Sequence, residues 1–142
     1  MGDVQFSFSD GPAASAPVVS FAEFGAASNA AAVRIEPGDD ARALLPQLAQ
    51  LSLVEVNFPG FGDGRGYSAA RILREAGYAG ELRACGEVLI DQLSLMRRCG
   101  FDTFAPQTPL DPADAEAAFA RWPEVYQPTT DGRTPIWAKR HG

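Results

Sequence analysis

Histidine and cysteine are scarce in this chain, and the scarcity narrows its chemistry. Its 142 residues include one histidine, His141, and two cysteines, Cys85 and Cys99. A structural zinc or an iron–sulfur cluster draws on about four Cys or His ligands, so one chain does not readily supply either. Two cysteines make no disulfide framework. No Lys or Arg precedes Arg34, so no signal peptide or cationic targeting segment is expected. No apolar run approaches the ~20 residues that span a bilayer. Basic residues are outnumbered, 12 against 18 acidic, for a formal net charge of -6. Nucleic acid, which recruits a basic face for counterion release, is therefore not an expected partner. These absences lead to the expectation of a cytoplasmic protein with reduced thiols, no membrane partner and no evident cofactor.

What is present suits one domain. A chain of 142 residues, 46% of them hydrophobic, can bury one sizeable core. Residues 1–31 are rich in Ala, Ser and Gly, with isolated aromatics at Phe6, Phe8, Phe21 and Phe24. They read as a loosely ordered N-terminal arm with room for a strand or turn. Residues 32–127 read as an α/β domain and residues 128–142 as a C-terminal tail anchored by Trp137. VRIEPG predicts a short strand ended by a Pro-Gly turn. Asp39 or Asp40 then caps a short helix over ARALLPQLAQL, in which Pro46 must begin, kink or end a helical turn. LSLVEVNF is a continuous apolar run with β-branched residues, as in a strand covered on both faces.

Two later segments share one design. SAARILREAGY and EVLIDQLSLMRRCGF each predict a helix closed by glycine and then an aromatic. With Gly77 and Gly100 in the left-handed position, the Schellman rule pairs Tyr78 with Leu73 and Phe101 with Met96. All four are apolar or aromatic, so both sites satisfy the rule. Strand candidates GELRACG and FDTFAP follow. The last helix, DPADAEAAFARW, has Asp111 as N-cap, Pro112 at its first position, Asp114 in its first turn and Pro123 as its stop. The resulting order, β–α–β–α–β–α–β–α, predicts an α/β fold. Its repeated βα units form a parallel sheet, laid out as a partial barrel or a three-layer single domain. In such folds ligands gather at the carboxyl ends of the strands.

FPGFGDGRGYS leaves such a strand end and enters a helix. Free backbone N–H groups and the positive end of a helix dipole make this an anion-binding candidate. It comprises Asp63, Gly64, Arg65, Gly66, Tyr67 and Ser68. The glycines permit close approach, Arg65 can fork onto an oxyanion, and Tyr67 and Ser68 supply hydroxyls. G-x-G-x-x-G fails because Arg65 and Tyr67 stand where glycine is needed, and the P-loop pattern is absent. The alternative is that Asp63 and Arg65 pair within a tight turn while Ser68 only caps the helix. A second cluster, Arg83, Glu87, Asp91 and Gln92, follows the next strand. Glu87 and Asp91, four apart, would share a helix face and the edge that carries Arg65. A carboxylate pair there can transfer protons, or merely complement a helix N-terminus. Cys85 reads as an inert buried thiol, with a reactive thiol beside Arg83 as the alternative.

The run FPGFGDGRGYSAARILREAGYAGELRACGEVLIDQLSLMRRCGFDTF resembles the small bacterial proteins grouped as domain of unknown function 934. Similar features are Phe-Pro, Asp-Gly-Arg-Gly-Tyr-Ser, Gly-Glu-Leu-Arg, Asp-Gln-Leu and Arg-Cys-Gly-Phe-Asp. The resemblance covers about residues 33–127 and is most specific over 58–104; Glu87 stands where Asp is expected. It implies a bacterial protein linked to sulfur assimilation, because members are labelled as oxidoreductases of sulfite reduction and neighbour assimilatory sulfite reductase. It implies no catalytic residues. The expectation is an accessory protein that binds a small oxyanion or docks on sulfite reductase. Alternatives are an oxidoreductase acting itself with a borrowed cofactor, and a ligand-free structural adaptor whose open sheet edge pairs with another chain, a second copy included.

Overall fold

A computed structural model describes residues 4–8, 14, 16–26, 29–60 and 64–120. Six strands form one mixed sheet: β1 (Phe6–Ser7), β2 (Val18–Ser20), β3 (Ala32–Ile35), β4 (Leu53–Phe58), β5 (Glu81–Gly86) and β6 (Thr103–Pro106). Their spatial order is β1-β6-β5-β4-β3-β2. β2 through β6 are parallel, and only β1 runs antiparallel, against β6. The helices are α1 (Phe21–Ala26), α2 (Arg65–Glu75), α3 (Leu93–Cys99) and α4 (Pro112–Ala120), with 3-10 turns over Ala41–Gln50 and Ile90–Gln92.

Consecutive parallel strands are spatial neighbours throughout, so right-handed crossovers carry the connecting helices to one side of the sheet. Val54, Val56 and Phe58 of β4 and Leu82 and Ala84 of β5 meet Ala70 and Leu73 of α2 in one core. Met96 of α3 and Phe119 of α4 join the same cluster. The α/β expectation holds, and the described helices follow the one-sided layout of a partial barrel rather than a three-layer sandwich.

The opposite face holds the alternate residues of each strand. There Arg34, Glu55, Arg83 and Thr103 stand in register across β3, β4, β5 and β6. LSLVEVNF is thus a buried central strand, as expected, but one residue of the run is a carboxylate. Glu55 is 6% exposed. Arg34 donates to its Oε1 from Nε at 2.9 Å and from Nη2 at 2.6 Å, and Arg83 Nη1 lies 3.6 Å from its Oε2.

Local signals behave as the sequence implies. Gly77 and Gly100 have φ of 96° and 113°. Tyr78 N donates to Leu73 O at 3.0 Å and Gly77 N to Arg74 O at 3.0 Å. Phe101 N donates to Met96 O at 3.2 Å and Gly100 N to Arg97 O at 3.1 Å. Both are complete Schellman motifs. Asp111 Oδ1 accepts from Asp114 N at the start of α4. Asp40, not Asp39, caps the turn at Ala41, and the backbone leaves helical geometry at Gln47, directly after Pro46. Pro123 and Trp137 lie outside the described residues.

The N-terminal arm contains strands, for which its sequence left room. Its described residues supply both edge strands, and Phe6, Phe8 and Phe24 are core side chains. Phe8 packs edge-on to Phe104 and Phe119. Aromatics spaced too irregularly to show a period are drawn into the core by burial alone.

Candidate functional site

Among the described residues, two concavities open at the strand carboxyl ends. The first, about 220 Å³, lies between the turn after β3 and α2; Gly38, Asp39, Asp40, Arg42, Arg65 and Ser68 contribute to its wall. Pro37-Gly38 forms the predicted turn: Asp39 N donates to Glu36 O at 3.0 Å, and Gly38 takes φ of 96°. The exposed Arg65 reaches over this turn, its Nη1 standing 3.8 Å from where a Cβ on Gly38 would sit. The neighbouring carboxylates face their own backbone: Asp39 Oδ2 accepts from Glu36 N at 2.8 Å, and Asp40 Oδ1 from Arg42 N at 3.0 Å.

The helix behind Arg65 begins earlier than the sequence suggests. Gly64 is its N-cap and no side chain caps it, so Ser68 sits in the second turn and does not cap. Ser68 is exposed and lines the cavity. Gly66 also has a packing role. A Cβ on it would come 2.5 Å from Phe58 Cε1, so its missing side chain lets α2 lie against β4. Tyr67 packs half-buried against Phe58, ring centroids 5.3 Å apart, and burial raises its hydroxyl pKa. Asp63 lies outside the described residues.

The second concavity, about 370 Å³, opens between the segments after β5 and β6. Its lining includes Glu87, Val88, Leu89, Gln107, Thr108 and Leu110. Among the described residues it shares no lining residue with the first. The expected helical pairing of Glu87 with Asp91 fails. The chain bends at Glu87, Leu89 is extended at φ −111° and ψ 154°, and α3 starts only at Leu93. Gln92 accepts from Leu89 N at 3.2 Å through Oε1, closing that turn, while Asp91 points to solvent within it.

Arg83 is not at the carboxyl edge. It is the third residue of β5, on the face away from the helices, and donates to Glu81 Oε2 from Nε at 3.1 Å and Nη2 at 2.9 Å. Cys85, also on that face, is buried, and desolvation pushes its thiol up to about 12. It is a neutral packing residue, in line with the inert reading. Among the described residues, no three His, Cys, Asp or Glu side chains group as a metal site would, and no helix is long and apolar enough to cross a membrane.

The residues that carry the sequence resemblance can now be placed. Arg74 donates from Nε and Nη2 to Gly100 O, from Nη1 to Tyr78 O and Gly80 O, and from Nη2 to Asp102 Oδ2 at 2.6 Å. A family model described as a bacterial protein of unknown function (DUF934) matches residues 32–137. The chain belongs to that family. No curated protein and no solved structure matches it. Gly77-Tyr78, Gly80-Glu81-Leu82-Arg83 and Gly100-Phe101-Asp102 serve the amino-terminal edge of β5 and β6, where Arg74 ties them together. Asp-Gly-Arg-Gly-Tyr-Ser supplies the opposite, carboxyl edge, through Arg65 and Ser68.

Sequence reasoning missed Gln107, Thr108 and Leu110, which sit on a short polar connection with no motif, and the Gly38–Arg42 wall, which looks like an ordinary turn and cap.

Proposed function

We propose that the protein is an accessory of assimilatory sulfite reduction that binds a small sulfur oxyanion at the Arg65 cavity. The observation that carries this reading is that Arg65 and Ser68, on one flank of α2, line one concavity with the Gly38–Arg42 turn beyond the carboxyl end of β3. A guanidinium and a hydroxyl are donors that a pyramidal or tetrahedral oxyanion accepts from. Arg42 also lines the cavity, its Nη1 3.6 Å from Asp40 Oδ1, while Asp39 and Asp40 accept from the backbone N–H groups of Glu36 and Arg42. About 220 Å³ suits an ion of this size and not a nucleotide. The sulfur chemistry itself rests on the family resemblance. The same reading makes sulfite reductase the partner to which the oxyanion would be handed or withheld.

Thermal unfolding in the presence of sulfite tests it. Sulfite raises Tm in the wild type, and Arg65→Ala removes the shift. Equal shifts in both proteins would take Arg65 out of the site. Capture of the endogenous complex, with sulfite reductase identified among the bound proteins, tests the partner separately.

A further inference from the structure

The larger cavity, between the segments after β5 and β6, has the opposite chemical character to an oxyanion site. Most of its backbone donors are spent. Glu87 N donates to Phe58 O, Val88 N and Gln107 N both donate to Gly86 O, Leu89 N donates to Gln92 Oε1, and Leu110 N donates to Gln5 Oε1. What remains on offer is mostly acceptor. The Glu87 carboxylate, the Gln107 amide and the Thr108 hydroxyl line the cavity, and none of them bonds to a described residue. Among the described residues, Glu87 is the one charged side chain in the lining, and no described cation pairs with it. Beside these groups stand apolar walls: buried Val88, partly buried Leu110, and Leu89, which keeps 37% of its surface exposed.

We infer that this cavity binds a small organic cation, a guanidinium or primary ammonium carried on a short aliphatic stem. The cationic head satisfies the three acceptors, and the stem covers Leu89 and Leu110, exchanging exposed apolar surface for contact. At about 370 Å³ the cavity is at the small end of ligand sites, sized for an amino-acid-scale molecule and too small for a dinucleotide. It lies at the carboxyl end of parallel strands, where α/β folds place their ligands. It uses none of the residues of the Arg65 cavity, so it stands whether or not sulfite binds there.

The test is a titration of the full chain with n-butylguanidinium, followed by the backbone amide NMR signals of Glu87, Leu89, Gln107 and Thr108, with n-butanol as the neutral control. Saturable shifts confined to these residues are expected. Glu87→Gln, at an exposed side chain with no partner among the described residues, should keep Tm and weaken binding at least tenfold. Rising salt should weaken it too, because the charge is solvent-accessible. Equal binding by wild type and Glu87→Gln, butanol binding as well as the cation, or shifts that do not saturate would each overturn the inference. N-acetylarginine amide separates two sources of the same chemistry. Tighter binding than butylguanidinium assigns the cavity to a side chain presented by a partner, and weaker binding assigns it to a free small cation.

Discussion

Arg74 and Asp102, 28 positions apart in the chain, meet at 2.6 Å between Nη2 and Oδ2 beneath the amino ends of β5 and β6. The other donor positions of the guanidinium are taken by the carbonyls of Tyr78, Gly80 and Gly100. One side chain thus satisfies the ends of two helices and the entries to two strands. Asp102 Oδ2 also accepts from Leu82 N at 3.1 Å. Both partners are about a quarter exposed, which weakens the Coulombic part but leaves the carbonyl bonds. Arg74→Ala should cost about 2 to 3 kcal/mol in urea unfolding. Arg74→Lys should recover little of it, because an ammonium cannot fork to four separate groups. A loss below about 0.5 kcal/mol, the range of ordinary surface changes, would remove this pin from the account.

The two helix-ending glycines should respond unequally to alanine. Both have positive φ, so both substitutions strain the backbone by about 1 kcal/mol. A Cβ at Gly77 would meet nothing within 4 Å, whereas at Gly100 it would come 2.6 Å from Arg74 Cγ. Gly100→Ala should therefore be the more destabilising. Its excess over Gly77→Ala should shrink when Arg74 is already alanine, a coupling that a double-mutant cycle reads directly.

Gly66→Ala reverses the usual helix rule. Alanine in place of glycine inside a helix normally stabilises by about 1 kcal/mol. Here the added methyl would meet Phe58 Cε1 at 2.5 Å and Val56 Cγ1 at 3.1 Å. Overpacking of this kind costs about 1 to 3 kcal/mol, so a net loss of Tm is expected. A gain would mean that α2 is free to move off β4.

Alkaline pH should weaken the fold through Cys85. Burial holds its thiol at about 12 against an ordinary 9.0. Between those values the unfolded chain has released the proton and the folded chain has not, so stability falls as pH rises from about 9. One such group contributes a slope of about 1.4 kcal/mol per pH unit. Burial also raises the hydroxyl pKa of Tyr78, which adds in the same direction at higher pH. Denaturation curves from pH 8 to 11 should show a shallower decline for Cys85→Ala than for wild type. Parallel declines would place the alkaline loss elsewhere.

Local chemistry was legible from the residues alone. The Schellman ends at Gly77 and Gly100, the Asp111 cap, the Pro37-Gly38 turn and the buried strand LSLVEVNF each depend on groups a few positions apart. For the same reason the succession of strands and helices through residues 32–120 was readable. Long-range juxtaposition was not. Nothing local sends Phe6–Ser7 to the far edge beside β6, lines Arg34, Glu55, Arg83 and Thr103 into one row, or aims Arg74 at Asp102. At the carboxyl edge, Glu87 and Arg65 line different concavities among the described residues, because the chain bends at Glu87 while Arg65 leans to the β3 turn. Backbone hydrogen bonding within a turn is decided by neighbouring residues, whereas which side chains share a cavity is decided by strand register and helix packing.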